Sequence, residues 1–213
     1  MKINIEIIKK AIIHDPIQIK NLNEKALVPK MMIRRRLSRN AKIVIYLADQ
    51  CNFTCGNMIY GSAYGEVLDT ITILDAIKNK ESISPTSFQN SVYNTAASYH
   101  SIVHGNTSEI LTLSCGNNTS YCVMQQAALS LHYEKEVFVC ASEAMNFHSS
   151  SSLNICESEL EYGLAFVVKR THEPANIHIK NGTQKGVPLS LSWMKNLYDA
   201  CGNNEKMVIE IEL

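Results

Sequence analysis

Net charge is the first thing this sequence lacks. Twenty Lys and Arg side chains are balanced by twenty Asp and Glu, so no bulk attraction to nucleic acid or to an anionic membrane is expected. Aromatic residues make up 7% and are not interleaved with the basic ones, as a nucleic-acid surface would need. No run of about eighteen apolar residues occurs, so no spanning helix is expected. The opening stretch, residues 1–10, alternates apolar and polar residues and has no small-residue cleavage site. It does not read as a secretion signal, and the expected compartment is the cytoplasm.

Regular cysteine spacing is also missing. The seven cysteines stand at 51, 55, 115, 122, 140, 156 and 201; an odd, irregular set excludes a disulfide framework. Cys51 and Cys55 form a close pair, but no two further ligands follow at a zinc spacing. No metal and no cofactor is therefore expected. Cys122 and Cys140 read as small core hydrophobes.

What is present is an alternation of strand and helix patterns without internal repeats. Residues 3–8 alternate and predict a strand, followed by a loop with Pro16 and Pro29. Residues 32–50 are ambiguous. Ile33, Leu37, Ala41, Val44 and Ala48 fit a helical face, whereas Ile43 to Leu47 alone would suit a buried strand. Met58–Tyr60 predicts a strand ending at Gly61. An amphipathic helix is expected over 63–79, with Tyr64, Val67, Leu68, Ile71, Leu74 and Ile77 on one face. Ser84-Pro85-Thr86 opens a turn, and a helix over 89–104 stops at Gly105. A strand at 109–113, a turn at 115–119 and a helix at 119–132, apolar nearly all round, come next. Then follow a strand at 136–141, a polar loop at 148–152, strands at 160–169 and 175–180, a helix at 188–200 and a strand at 206–212. The alternation indicates an α/β layer architecture with a covered sheet.

The strand, sharp turn and buried helix from Ile110 to Leu131 place the turn at a helix N-terminus, which favours negative charge. A cysteine there is a candidate thiolate nucleophile, and Cys115 is that cysteine. It needs a base and an oxyanion hole. None of the histidines at 14, 100, 104, 132, 148, 172 and 178 stands in a catalytic signature. His100 and His104 read as residues of a surface or boundary helix face, and His132 as a helix terminator. The basic run Arg34-Arg35-Arg36 with Arg39 reads as a solvated helix face that could meet an acidic partner.

Tyr64-Gly65-Glu66, followed by Ser84-Pro85 with Phe88, Ser91-Val92, Asn94 and Ala96, resembles the N-terminal domain of beta-ketoacyl synthases. More specifically, it resembles the short chain-length-factor-like variants of aryl polyene and related pathways, in which a stretch like Arg34–Arg39 introduces a helix. The resemblance covers residues 30–145 best, with 146–213 as a C-terminal extension of one domain spanning 1–213. It implies an α/β, thiolase-like fold, specifically its N-terminal half, layered α-β-α on a mixed sheet. It implies that the nucleophile position lies at Cys115 or, counting back without gaps from the strand at 136–141, at Asn117. Neither register carries the family's Thr-Ala-Cys-Ser-Ser pattern. Tyr93 stands where the family usually has His, and Ser98 where it usually has Gly. The 98 residues after Cys115 contain no Gly-rich His motif of the kind the family's second half supplies.

The resemblance thus implies a subunit without condensing chemistry of its own. It would pair with a full-length beta-ketoacyl synthase, or with itself as a homodimer, and shape an acyl tunnel in fatty-acid-like or polyketide synthesis. An acyl carrier protein is the further expected partner; nucleic acid and membrane are not. Ile110, Leu111, Thr112 and Leu113 are the implied interface, and Phe88, Asn94 and Asn118 the implied tunnel or motif residues. Two alternatives remain: a small acyltransferase or condensing enzyme using Cys115 with a base from a partner, His100 or His104, and a scaffold without a tunnel.

Overall fold

The computed structural model describes residues 1–146, 161–179, 182–202 and 206–213. Six strands form one mixed sheet in the order β3-β2-β4-β5-β1-β6. They are β1 (Lys2–Asp15), β2 (Met58–Gly61), β3 (Ile110–Leu113), β4 (Glu136–Ala144), β5 (Glu161–Arg170) and β6 (Val208–Glu212). β2 runs parallel to both β3 and β4, while β4-β5-β1-β6 is antiparallel throughout. The eight helices among the described residues are α1 (Glu24–Leu27), α2 (Met31–Arg34), α3 (Arg39–Gln50), α4 (Val67–Asn79), α5 (Pro85–Asn90), α6 (Thr95–His104), α7 (Thr119–Ser130) and α8 (Ser192–Cys201).

The sheet divides the interior in two. Alternate side chains of β4 point to opposite faces, with Val137, Val139 and Ala141 joining Val123, Met124, Ala127 and Leu197 under α7 and α8. Phe138 and Cys140 join Ile43, Leu47, Ala96 and Ala97 under α3 and α6. This is the layered α/β fold the sequence predicts. Residues 43–47 are helical: Ser38 caps α3 by accepting from the Ala41 N–H at 3.1 Å, and the run is apolar all round because α3 lies between the sheet and α6.

Several expectations are corrected. The first strand does not stop at residue 8 but continues to Asp15 across an irregularity between Ile7 and Lys9, held by β5. The helix expected over 89–104 is two helices. Ser84 caps α5, Pro85 opens it, and the chain breaks at Ser91 before α6 begins. Tyr64 lies in the turn before α4, and α4 buries none of its residues; Leu74 is 58% and Ile77 57% exposed. Residues 175–179 form no strand, because Asn176 and Ile177 both spend their N–H groups on the single carbonyl of Val208. Helix α7 is buried on one side only, leaving Cys122 half-buried and Leu129 exposed. His100 is not a surface residue but fully buried. The polar loop expected at 148–152 lies outside the described residues.

Candidate functional site

The parallel strands β2, β3 and β4 deliver three turns to one end of the sheet, the end where α/β folds gather functional groups. Two glycines set the approach. A Cβ on Gly61 would stand 2.6 Å from Val123 and 2.8 Å from Thr119, so β2 lies directly against the start of α7. Gly65 has φ +57°, and a Cβ there would meet the Tyr93 ring at 3.0 Å.

The turn after β3 begins at Cys115, whose side chain is exposed. Gly116–Asn118 forms a single 3-10 turn before α7. The Cys115 N–H donates to Thr119 Oγ1 at 3.0 Å, Thr119 Oγ1 donates to the Gly116 carbonyl at 2.7 Å, and the Asn118 N–H donates to the Cys115 carbonyl at 3.1 Å. Burial pushes the Cys122 thiol up to about 11, and the neighbouring Cys115 thiol adds to the shift. Asn117 and Asn118 are exposed and line a cleft of about 820 Å³ together with Tyr121, Trp193 and His178.

No base meets Cys115 from α6. The His100 ring stacks on Phe53 at 5.4 Å and lies 4.6 Å from His104, on the α3–α6 face of the sheet, whereas α7 lies on the other face. Neither ring nitrogen of His100 has a hydrogen-bond partner, and burial lowers it to about 4. His132 ends α7 with its Nδ1 at 3.2 Å from Arg170 Nη1. Among the described residues, no three His, Cys, Asp or Glu side chains converge as a metal site. Cys51 is buried and its thiol is pushed up to about 12, while Cys55 is exposed.

The sequence reading did not anticipate three buried carboxylates, Glu143, Glu66 and Glu161. Glu143, at the end of β4, is fully buried. It accepts from Ser62 Oγ (2.8 Å), Ala63 N–H (2.7 Å), Tyr64 N–H (3.3 Å) and Ser190 Oγ (2.8 Å). Burial raises it to about 6, against the pull of those four donors. It ties the turn after β2 to the C-terminal segment. The Ala63 carbonyl in that turn accepts in addition from Tyr93 Oη (3.2 Å) and Ser114 Oγ (3.4 Å), so the end of β3 rests on the same hub. Glu66 accepts from Ser38 Oγ at 2.7 Å, and burial raises it to about 8. A Glu two residues beyond the apolar run of residues 137–141 was the available signal for Glu143.

The implied interface residues Ile110, Leu111, Thr112 and Leu113 make up β3, which among the described residues is an edge strand bonded only to β2 and half-buried at every position. The Thr112 Oγ1 is buried without a partner. Phe88 is 68% exposed on α5, and Asn94 is exposed at the start of α6 without a side-chain cap bond. The arginines divide. Arg34 donates to the Val28 and Pro29 carbonyls, and Arg39 pairs with the buried Glu161 and donates to the Ile19 carbonyl. Arg35 and Arg36 are exposed and line a smaller cleft of about 300 Å³ beside Glu66 and Asp69. No helix among the described residues is long and apolar enough to cross a membrane.

Several solved structures share this fold. One chain of a ketosynthase (ApeO) in complex with its chain length factor (ApeC) from Xenorhabdus doucetiae has a TM-score of 0.72 at 16% identity, over 98% of this chain and 99% of that one. A chain of the ishigamide ketosynthase/chain length factor has a TM-score of 0.57 at 12% identity, over 73% of this chain and 49% of that one. A chain of AntDE:AntF, a type II polyketide acyl-carrier protein in complex with its ketosynthase, has a TM-score of 0.60 at 10% identity, over 80% of this chain and 64% of that one. No curated protein sequence matches. The family model for the beta-ketoacyl synthase N-terminal domain matches residues 13–199, and the chain belongs to that family.

Proposed function

We propose that this chain is a ketosynthase-like subunit that does not condense acyl groups by itself. It pairs with a beta-ketoacyl synthase and closes one end of the partner's acyl tunnel in polyketide, aryl polyene or fatty-acid-like synthesis. An acyl carrier protein is the third component, as in one of the related complexes.

The observation that carries this reading is the edge strand β3. Among the described residues its outer ladder groups face no other strand, it carries no charge over residues 110–113, and it leads straight into the turn at Cys115. An apolar, uncharged edge of this kind is a template for another chain. The surface continues beside it: α6 packs on β3 and carries the exposed Ile102, while Phe88, Val92 and Tyr93 are exposed on the segment before it. A partner strand laid antiparallel on β3 would bring these side chains against the partner's site, where their volume would limit the acyl chain. The separation of Cys115 from His100 and His104 by the sheet supports the non-condensing part.

The test is light scattering of the chain mixed with a candidate beta-ketoacyl synthase. A heterodimer is expected, weakened by Leu111→Lys or by Thr112→Pro, which deletes a ladder donor. A wild-type chain that stays monomeric beside that partner, or variants that pair normally, overturn the interface. The pure protein incubated with acyl- and malonyl-carrier protein should give no elongated product; turnover that disappears in Cys115→Ala would establish the acyltransferase or condensing reading instead.

A further inference from the structure

The opposite edge of the sheet carries a second feature, independent of β3. β6 pairs with β1 on one side only. The bonds from Ile7 N–H to the Met207 carbonyl and from Leu213 N–H to the Met1 carbonyl fix the phase of this antiparallel ladder. Ile209 and Ile211 therefore turn their backbone groups toward β1, and Val208, Glu210 and Glu212 turn theirs outward. Part of that outward row is already used. The Val208 carbonyl accepts from Asn176 N–H and Ile177 N–H, each at 3.0 Å, and the Val208 N–H donates to Asn176 Oδ1 at 2.8 Å. The Glu212 carbonyl accepts from Tyr121 Oη at 3.0 Å and Gln125 Nε2 at 2.8 Å. The N–H and carbonyl of Glu210 and the N–H of Glu212 have no partner among the described residues.

The residues that carry these groups, Glu210 and Glu212, line the cleft of about 820 Å³, which has lining residues on both faces of the sheet at this edge. Asn4 and Glu210 line it on one face of the sheet. On the other, Tyr121 and Trp193 form an aromatic wall, with ring centroids 5.3 Å apart, and Ile177 continues the row of residues bonded to Val208. The carboxylates lining it are Glu210 and Glu212; His178 is its one imidazole, and no Lys or Arg lines it.

We infer that this cleft is a docking site for an extended segment of a partner polypeptide, which adds as a strand outside β6 with basic residues alternating with apolar ones. The alternation follows from the pleat. Successive side chains of an added strand fall on opposite faces, one beside Glu210 and Glu212, the other against Tyr121 and Trp193. Charge selects the occupant. A second copy pairing β6 with β6 would set Glu210 and Glu212 against the same carboxylates, which like-charge repulsion disfavours. Residues 147–160 of this chain contain two Glu and no Lys or Arg, so they do not supply the complement either. Lys2 already bonds Glu210 at 2.6 Å from the neighbouring strand, an exposed pair that an incoming cation can replace.

Trp193 is the single tryptophan of the chain and lines the cleft, so its fluorescence reports occupancy. The probe is a capped heptapeptide, Lys-Val-Lys-Val-Lys-Val-Lys, titrated into the full-length chain. Saturable change in Trp193 emission is expected. The same peptide with its three central backbone nitrogens methylated, and the Glu-Val heptapeptide, should each bind at least about tenfold more weakly, because the first loses its ladder donors whichever way the strand runs and the second repels the edge. The double variant Glu210→Lys/Glu212→Lys should weaken the Lys-Val peptide by a similar factor; Glu210→Gln/Glu212→Gln serves if the reversal perturbs the far-ultraviolet circular dichroism. Leu111→Lys, at the other edge, should leave peptide binding unchanged, which separates this site from the subunit interface. No response in the wild type, equal binding of the N-methylated peptide, or indifference to both Glu variants overturns the inference.

Discussion

The two edges of the sheet are built on opposite rules. β3 is four residues long, uncharged and half-buried, and its last residues sit on a hub of buried hydrogen bonds centred on Glu143. β6 alternates buried Ile209 and Ile211 with exposed Glu210 and Glu212, and its end is held by Tyr121 and Gln125 at the surface. Carboxylates on an edge are a device against indiscriminate pairing, and β3 has none. The difference teaches that being at an edge is not by itself a signal for association. The chemistry along the edge decides whether it accepts an apolar strand, a complementary charged one, or nothing.

The strongest way to break this comparison is to exchange the rule at each edge. Leu111→Lys places an ammonium where a partner strand would bury it, and should weaken pairing with a beta-ketoacyl synthase by about 4 kcal/mol, roughly a thousandfold. Glu212→Lys changes charge by the same kind of substitution at β6 and should leave that pairing within about twofold. Analytical ultracentrifugation of both variants with the partner measures this. If the two lose pairing equally, the edges are not specialised as described.

A second test concerns what supports β3 from below. Glu143→Ala leaves two hydroxyls and two N–H groups without their acceptor in a fully buried site. The expected loss is about 3 kcal/mol in urea unfolding. Glu210→Ala, at the exposed edge, should cost about 0.5 kcal/mol or less. A Glu143→Ala chain as stable as the wild type would mean that the hub is not what steadies this end of the sheet.

The α6 helix behind β3 adds a pH dependence that β6 does not share. His100 is lowered to about 4 by burial and by the adjacent His104, from an ordinary 6.5. Between those values the unfolded chain binds more protons than the folded one, so this residue removes stability as pH falls from about 6.5 toward 4. Glu143 and Glu66, raised to about 6 and about 8, act in the opposite sense, losing stability as pH rises from about 4.5 through those values. The wild-type profile mixes these contributions; a variant isolates one. His100→Phe keeps a ring against Phe53 and should gain about 2 kcal/mol relative to wild type at pH 5, with the difference fading above pH 7. A difference independent of pH would remove the titration of His100 from the account.

Much of this was legible in the sequence wherever period and punctuation agree. The strands β2, β3, β4 and β5 and the helix α7 lie within a few residues of the pattern-based expectation, because Gly61, Gly105, Pro85 and the Asn-rich turn after Cys115 mark their ends. The misses have physical causes. α4 has the apolar spacing of a packed helix, yet it packs mainly on α5, leaves Leu74 and Ile77 exposed and fully buries none of its residues, and periodicity cannot tell core from a half-buried face. His100 reads as polar, but tertiary packing of Phe53 and Phe138 around it decided its burial. Asn176 and Ile177 share the one carbonyl of Val208 instead of entering a ladder, which propensity does not encode. For Glu143 the apolar run before it signals burial, but the four donors that converge on it come from residues 62–64 and 190, which no local pattern connects to it.

The smallest expected effect is the most informative about β3 itself. Thr112 Oγ1 is buried on the edge strand and has no hydrogen-bond partner. Thr112→Val keeps the β-branched shape and removes only the hydroxyl. In the isolated chain an orphaned hydroxyl costs desolvation without return, so the variant should be more stable by about 0.5–1 kcal/mol in urea unfolding. Pairing gives the second reading. If the partner's strand supplies an acceptor or donor to Thr112, the same variant should bind the partner about three- to tenfold more weakly while the isolated chain gains stability. A change of opposite sign in the two assays identifies Thr112 as a polar group held in reserve for the interface. Equal gains in both would leave β3 as a purely apolar edge, in contrast to the charged β6, and would place the specificity of pairing in the exposed side chains of α5 and α6 instead.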